Sequence, residues 1–329
     1  MKEIVITNLN KGQRCDKFVR KYLNEAPLSY IYKLFRIKDV KVNGKKVDPN
    51  YILLEGDVLR IYVSDEKLAE FNKPKEMIIT KLDFEIVYED ENIIIINKPI
   101  GLLVHGDKKE KRRTLSNMVL NYLYSKGEYN PSSNVGFIPA PCHRLDRNTS
   151  GLIVFAKNLE SLQLMEELFK EKKSLKKEYI TLVAGKLFDK GKIDAPLFKN
   201  EETKTVKVLP ESKGGKKALT YYEPIETFKE CSLIRVNIIT GRTHQIRVHF
   251  SYINHPVLGD SKYGSFNINK RFEKVFDYKN QFLHAERLSF LDIEGKLSYL
   301  SNKVFVATLC KKQESIINKL RENKNVNLF

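Results

Sequence analysis

A single acidic residue, Asp146, lies between two arginines, Arg144 and Arg147, in the segment HRLDRNTSGLIVFAK. This segment is typical of a loop that leads into a buried apolar strand, GLIVFAK. One interpretation of the acid is an ordinary surface ion pair. The other is a buried, permanently ionised carboxylate that attacks or stabilises an electron-poor carbon, as carboxylates do in glycoside hydrolysis.

Cysteine and histidine offer weaker candidates for chemistry. Cys142 could be a nucleophile, since thiolates are reactive, but no base is placed for it, and we interpret it as a small buried residue. His244 and His249 are five residues apart, which separates them by about 140° on a helix and excludes an HExxH zinc pair. The four cysteines show no zinc spacing, so we expect no metal site.

The charge of the chain indicates a polyanionic partner. Its 329 residues carry a formal net charge of +17, with 42% hydrophobic residues, enough for a sizeable core. Nucleic acid or an anionic membrane surface would suit this charge, and a merely lysine-rich composition is the alternative. The apolar run NIIIINKPI is far shorter than the roughly 18 residues that span a membrane. With scattered cysteines and no signal region, we expect a reduced cytoplasmic protein that binds no membrane.

The positioning elements begin with a small basic unit over residues 1–66. RCDKFVRKYLN and YIYKLFRI have apolar residues at helical spacing, VKVNGKKV is typical of a hairpin around Asn43-Gly44, and LLEGDVLRIYV adds a strand. Its basic side chains are Arg14, Lys17, Lys33, Arg36, Lys38, Lys41 and Lys45. The charged, proline-containing stretch 67–80 is interpreted as a linker.

Residues 81–311 are richer in strands. FEIVYEDENIIIINKP, KKEYITLVAGKL and FLHAERLSFLD predict strands, and ALTYYEPIETFKECSLIRVNIIT predicts an antiparallel pair. NLESLQLMEELFKEKK and THQIRVHFSYI predict helices. We therefore expect an α+β fold, with an extended, mostly antiparallel sheet flanked by helices, and a C-terminal tail at 312–329.

Two nucleotide-binding motifs are absent from the sequence. It contains no GxxxxGK[ST] phosphate loop and no glycine-rich turn between a strand and a helix. This argues against a kinase, a dehydrogenase or a methyltransferase of the usual fold.

Five segments, in order, resemble one family. HRLDRNTSGL resembles the signature around the catalytic aspartate of pseudouridine synthases of the ribosomal large-subunit family. INKPIGLLVHG, KKEYITLVAG, TGRTHQIRVH and FLHAERLSF resemble further motifs of that family. Within it, APLFKNEETKTVKV looks closest to the C type, with a sister type as the alternative. Residues 12–63 resemble the alpha-L (S4-like) RNA-binding domain.

The resemblance implies isomerisation of uridine to pseudouridine in RNA, with no metal or cofactor. It makes Asp146 the nucleophile and Arg247 its cationic partner. Tyr179 is the ring that stacks on the flipped uracil, and its hydroxyl could assist proton transfer from carbon. A nearby cation offsets the cost of burying an ionised carboxylate. An acyl-sugar, a base adduct and a glycal all stay possible as intermediates. Without the motifs, Arg247 would be an exposed helix arginine and Tyr179 one more core aromatic.

Further residues receive roles in RNA binding. Arg144 matches the family arginine beside the aspartate and would fill the gap that the flipped uridine leaves. Leu283 packs on the base or, equally well, is a core strand residue. Arg242 and His143 are candidate phosphate contacts, and Lys98 is interpreted as structural.

Two alternative functions are less consistent with these residues. A non-catalytic RNA-binding or ribosome-assembly protein of the same fold would be expected to lack Asp146 or Arg247, and both are present. An RNA methyltransferase would need a glycine-rich cofactor turn. We therefore predict a monomeric RNA pseudouridine synthase that acts on large-subunit ribosomal RNA, either free or in a ribosomal particle.

Overall fold

A computed structural model describes residues 1–7, 10–73, 77–131, 137–171 and 173–322. The first unit packs helices against a four-stranded antiparallel sheet of order β1-β4-β2-β3. Its elements are β1 (Lys2–Val5), α1 (Cys15–Tyr22), α2 (Leu28–Arg36), β2 (Val40–Val42), β3 (Lys45–Lys46), β4 (Val58–Ile61) and α3 (Asp65–Phe71). Phe18 and Val19 of α1 and Leu34 of α2 are buried in its core, as their helical spacing predicts.

The predicted hairpin turn is present between β2 and β3. Asn43 and Gly44 both have positive φ, 50° and 77°. This is the backbone that a two-residue turn between twisted strands requires, and Asn followed by Gly adopts it most easily.

The first unit extends further than the sequence predicts. The expected linker, 67–80, begins with most of α3, which starts after Ser64, whose side chain accepts a hydrogen bond from the Lys67 amide. Phe71 is buried at the end of α3, with its ring centroid 4.9 Å from that of Tyr30. Phe71 belongs to the core cluster of the first unit and Leu68 packs against that cluster, so the unit continues to Phe71. Residues 74–76 of the expected linker lie outside the described residues.

The second unit follows as a chain of strands with helices between them. Its elements are β5 (Glu85–Glu89), β6 (Ile93–Lys98), α4 (Leu115–Ser125), β7 (Ala140–Pro141), β8 (Ser150–Ala156), α5 (Leu159–Glu171), β9 (Leu175–Ala184), β10 (Gly191–Asp194), β11 (Leu197–Lys199), β12 (Val206–Val208), β13 (Leu219–Thr227), β14 (Cys231–Ile238), α6 (Gln245–Tyr252), α7 (Phe266–Phe276), β15 (Leu283–Phe290), β16 (Val304–Val306) and α8 (Lys311–Glu322).

Ten of these strands form one extended sheet, in the order β10-β13-β14-β9-β15-β8-β6-β5. At the side of this path, β7 pairs with β8 and β16 pairs with β15. Among the described strands of the sheet, all pairings are antiparallel except the one between β8 and β15. The predicted α+β class with an extended, mostly antiparallel sheet is confirmed.

The apolar run of β6 is buried on both faces of this sheet. Ile94 and Ile96 belong to the apolar cluster that includes residues of α4 and α6. Ile93 and Ile95 belong to the cluster that includes Met165 of α5. An unbroken run of isoleucines fits a strand whose alternate side chains both meet helices.

The expected C-terminal tail is a packed helix over its whole described length, 312–322. Ile316, Ile317 and Leu320 of α8 are buried, in one cluster with Ile180 and Leu182 of β9. This is a difference from the prediction, which overlooked three apolar residues on one face of KKQESIINKLRE. Residues 323–329 lie outside the described residues.

Gly151 allows the parallel pairing of β8 with β15. Its φ is +106°, and a Cβ added there would lie 2.2 Å from the carbonyl oxygen of Ala285. Ala285 is its register partner on β15. A glycine is therefore required at this point by both the backbone conformation and the close approach of the two strands.

We expect Gly151→Ala to lower the free energy of unfolding by at least about 3 kcal/mol, from backbone strain and a clash with Ala285. Gly101→Ala is the matched control, because Gly101 has a similar positive φ of +81° but nothing within 4 Å of an added Cβ. The control should cost only about 1–2 kcal/mol. Denaturant unfolding of both variants checks this, and equal losses would contradict the role of the close approach.

Candidate active site

Asp146 lies on the loop that enters β8, and the backbone of this loop is fixed at several points. The Thr149 amide donates to the Asp146 carbonyl at 3.1 Å, which closes a turn. The Thr149 hydroxyl accepts a hydrogen bond from the Gln281 side chain at 2.8 Å, and both side chains are buried. The loop is therefore held from within its own turn and from the residues before β15.

Lys98, the last residue of β6, also stabilises this loop. It is fully buried, and its ammonium donates to the carbonyls of Pro99, Leu102 and Arg147 at 2.9, 2.9 and 3.1 Å. Burial lowers the pKa of Lys98 to about 7, against the opposing charge of Asp146. Only the protonated amine has three donors for the three carbonyls. Lys98 thus acts as a support of the Asp146 loop, in line with its structural interpretation.

Arg247 binds Asp146 from the first turn of α6. Its Nη1 donates to Asp146 Oδ2 at 2.8 Å. The other edge of the guanidinium forms a bidentate pair with Asp260, with Nε to Oδ2 at 2.7 Å and Nη2 to Oδ1 at 2.8 Å. The structure thus brings together the acid and the arginine that the sequence separates by 101 residues.

Asp260 is a site residue that the sequence analysis missed. Its side chain is fully buried and also accepts from the amides of Lys262 and Tyr263 at 2.9 and 3.1 Å. Burial alone would raise the pKa of Asp260, but the Arg247 hydrogen bonds and these amides lower it. Burial alone would likewise lower the pKa of Arg247, whose two carboxylate partners raise it. Both groups therefore stay ionised, and Asp260 orients the guanidinium toward Asp146.

Tyr179 and Leu283 form an apolar wall beside Asp146. They lie on the neighbouring strands β9 and β15, are 8% and 4% exposed, and share an apolar cluster with Leu145. Burial, and then the charge of Asp146, raises the pKa of Tyr179. The hydroxyl of Tyr179 therefore keeps its proton at neutral pH.

These residues surround an open cleft with an empty volume of about 410 Å³, including open solvent. Its lining residues are Arg144, Leu145, Asp146, Thr149, Tyr179, Ile238, Arg242, His244, Gln245, Ile246, Arg247 and Leu283. The cleft thus combines the Asp146–Arg247 pair, an aromatic and aliphatic wall and two exposed arginines. Such a mixture suits a planar base attached to a charged backbone.

Arg144 and Arg242 are the exposed arginines of this cleft. Arg242 Nε donates to the Lys217 carbonyl at 3.0 Å, and the Arg242 amide donates to Gln245 at 3.0 Å. Arg242 is therefore anchored just before α6. Arg144 lies in another part of the chain, two residues before Asp146. Both positions are compatible with the RNA contacts predicted for them.

His143 does not line the cleft, contrary to the phosphate contact expected of it. Its Nε2 accepts a hydrogen bond from the Val154 amide at 3.1 Å, and its ring centroid is 4.3 Å from that of Phe169 on α5. Burial, and then the charge of Lys177, lowers the pKa of His143 to about 3. A neutral ring packed on α5 lacks the charge to bind phosphate.

The predicted RNA-binding side chains of the first unit have different surroundings. Lys33 and Arg36 on α2 and Lys38 just after it are exposed. Arg14 forms two hydrogen bonds with Asp16, at 3.0 and 2.8 Å. Lys41 lies 4.8 Å from the centroid of the Tyr62 ring. Lys33, Arg36 and Lys38 therefore place three exposed cations together at α2, and Lys17 and Lys45 are exposed as well.

Cys142 is buried, and burial raises the pKa of its thiol, so it stays protonated and inert.

Among the described residues, no group of three or more His, Cys, Asp or Glu side chains is arranged to hold a metal ion. No helix in the described ranges is long and apolar enough to cross a membrane.

Solved structures with a similar fold agree with this architecture. Human RNA Pseudouridylate Synthase Domain Containing 4 aligns with a TM-score of 0.56 at 23% identity, over 72% of this chain and 92% of its own. Human RNA Pseudouridylate Synthase Domain Containing 1 aligns with a TM-score of 0.50 at 22% identity, over 76% and 98%. At these identities the likeness shows the fold.

The family model described as RNA pseudouridylate synthase matches residues 92–252, which carry Asp146, Tyr179 and Arg247. Together with the relatives below, this match shows that the chain belongs to the RNA pseudouridylate synthase family. The prediction of an RNA pseudouridine synthase is confirmed.

Three relatives show which named members of this family the chain is similar to. The chain is 36% identical, over 85% of each chain, to ribosomal large subunit pseudouridine synthase C of Vibrio parahaemolyticus. It is 34% identical to the protein of that name from Escherichia coli strain K12, over 88% of each. It is also 36% identical to ribosomal large subunit pseudouridine synthase D of Buchnera aphidicola, over 84% of this chain and 86% of that one.

Proposed function

We propose that this protein converts uridines of large-subunit ribosomal RNA to pseudouridine, with Asp146 as the nucleophile. The observation that carries the proposal is the 2.8 Å contact between Arg247 and Asp146 at the base of a cleft walled by Tyr179 and Leu283. The names of the relatives support the ribosomal substrate. Similar identities to proteins named C and D support either type, and the C type is our proposal.

The geometry suggests how the residues share the work. A uridine flipped out of its RNA stack places its base against Tyr179 and Leu283 and its sugar over Asp146. The carboxylate supplies negative charge to C1′ as the bond to N1 breaks, and the base turns so that C5 bonds to C1′. The proton on C5 is then lost and N1 gains one, so the reaction is a balanced isomerisation.

Tyr179 serves as a stacking surface in this proposal. Because burial raises the pKa of Tyr179, its hydroxyl is a proton donor rather than a ready base. Arg247, at 2.8 Å, pairs with the Asp146 carboxylate and orients it. Arg144, at the exposed rim, occupies the gap that the flipped uridine leaves.

The direct test is to map pseudouridines in large-subunit ribosomal RNA from cells with and without the gene. We expect specific sites to disappear without the gene and to return when purified protein is added to the unmodified RNA. An unchanged map would instead support a non-catalytic RNA-binding protein of the same fold. We further propose that the protein is cytoplasmic, in line with its four free cysteines, and that it acts as a monomer.

The first unit, as an alpha-L domain, is proposed to add affinity for RNA. We expect deletion of residues 1–73, which removes the whole of α3, to weaken RNA binding about tenfold or more, since it removes several phosphate-contacting cations. The salt dependence of the dissociation constant should become shallower, while the remaining chain stays folded. A truncated protein with full affinity and an unchanged salt slope would show that the first unit does not contact RNA.

A further inference from the structure

His244 is an unusual residue at the edge of the cleft. It immediately precedes α6 and has left-handed backbone angles, φ 53° and ψ 22°. Such a conformation is uncommon for a residue with a Cβ and persists when surrounding contacts hold it. Those contacts come from Tyr263, whose hydroxyl lies 2.7 Å from His244 Nδ1.

The hydrogen bonds of Tyr263 determine which nitrogen of His244 carries the proton. The Tyr263 oxygen accepts from the Val206 amide at 3.1 Å. Its own proton has one acceptor in reach among the described residues, His244 Nδ1. We therefore assign the Tyr263 proton to the hydrogen bond with Nδ1, and with it the neutral tautomer that carries its proton on Nε2. Burial lowers the pKa of His244, although the charge of Asp146 opposes this shift. The lowered pKa keeps the ring neutral at physiological pH.

The protonated nitrogen points to the proposed nucleophile. His244 Nε2 lies 3.8 Å from Asp146 Oδ2, the same oxygen that Arg247 Nη1 binds at 2.8 Å. Within the described part of the chain, no group donates to the other oxygen, Oδ1. Catalytic hydrogen bonds are often long in the absence of substrate and shorten when it binds. The two oxygens of the carboxylate are therefore not equivalent.

We propose that His244 is a positioning residue, whose Nε2–H shares Asp146 Oδ2 with Arg247 and so leaves Oδ1 as the oxygen that faces C1′. This inference rests on the proposed function. His244 transfers no proton in this role, so the balance of the isomerisation is unchanged. The lone pair of Oδ1 bonds to C1′ while the electron pair of the N1–C1′ bond leaves with the base. When C5 then attacks C1′, the Oδ1–C1′ bond breaks and its electron pair returns to the carboxylate.

Three variants test this role in the full-length protein on an RNA substrate. His244→Asn tolerates the left-handed backbone but is too short to reach Asp146, and we expect kcat to fall about 10- to 100-fold, with KM unchanged. His244→Gln places an amide nitrogen near the Nε2 position and should recover at least about fivefold of that loss by restoring a donor. Tyr263→Phe keeps the aromatic ring, whose centroid lies 5.1 Å from Arg247 Cζ. It removes the hydroxyl that fixes the tautomer of His244, so kcat should fall to an intermediate value.

A spectroscopic measurement separates positioning from mere folding. Nitrogen-15 spectra of histidine-labelled protein should show His244 as the Nε2–H tautomer in the wild type and as a mixture in Tyr263→Phe. His255→Asn is the matched control, since His255 is a half-buried histidine away from the cleft lining. It should leave kcat unchanged.

The outcomes distinguish this inference from the proposed function. A wild-type kcat in His244→Asn, beside an inactive Asp146→Asn, would overturn the role of His244 alone. An Nδ1–H tautomer in the wild type would do the same. A wild-type protein that forms no pseudouridine would overturn the proposed function, and this inference with it.

Discussion

Asp146→Asn is expected to reduce pseudouridine formation by about 10⁴- to 10⁶-fold, the range seen when a nucleophile is removed from an enzyme. The amide has nearly the same shape as the carboxylate but cannot supply negative charge at C1′. The side chain of Asp146 is 29% exposed, and Arg247 keeps its bidentate pair with Asp260 when the charge is lost. The fold should therefore tolerate the change.

The measurement is single-turnover formation of pseudouridine, combined with RNA binding and thermal unfolding of the same variant. RNA affinity should change little, because contacts to phosphates supply most of it. Asp83→Asn is the control, an exposed carboxylate paired with Arg113 at 3.0 Å, and should be fully active. If Asp146→Asn retained turnover, Asp146 would not be the nucleophile.

Arg247→Met is expected to destabilise the protein by about 3–5 kcal/mol as well as to inactivate it. The reason is Asp260, whose fully buried carboxylate would lose both guanidinium hydrogen bonds and remain an unpaired charge. Arg247→Lys should recover little, because an ammonium cannot form the bidentate pair and also reach Asp146.

A double variant separates the structural from the catalytic contribution of Arg247. In Arg247→Met combined with Asp260→Asn, the buried charge is gone, so we expect most of the stability to return while activity stays lost. Denaturant unfolding of the single and double variants measures this. Arg113→Met, in an exposed pair of the kind that contributes about 0–1 kcal/mol, is the control. No gain of stability in the double variant would exclude Asp260 as the source of the loss.

The contact between Asp146 and Arg247 was predictable, because the motifs that contain them resemble those of one family. The role of Asp260 was not. It stands in the turn VLGDSKYG, where an acid before a lysine looks like an ordinary solvated residue. Its burial depends on the packing of α6 against the following turn, which no local pattern encodes. For His244 the sequence only argued against a zinc pair with His249, since the left-handed conformation near Asp146 leaves no signature in residue types.

The predicted fold was correct at the level of strands and sheet, and wrong mainly at the ends of the two units. Strands such as β6 and β8 have continuous apolar runs, and such runs indicate buried strands directly from the sequence. The helices α3 and α8 are highly charged, and each is held by one to three apolar side chains, Phe71 in one case and Ile316, Ile317 and Leu320 in the other. Such sparse patterns become decisive only when a partner surface is present.

The parallel pairing of β8 with β15 determines when the cleft can assemble during synthesis of the chain. Ser150 and its partner His284 are 134 residues apart, so at a synthesis rate of roughly 5–20 residues per second β8 waits roughly 7–27 s for that partner. Arg247 emerges within the same interval. A nascent chain that has presented the Asp146 loop therefore holds no assembled cleft, and the cleft closes only when β15 leaves the ribosome.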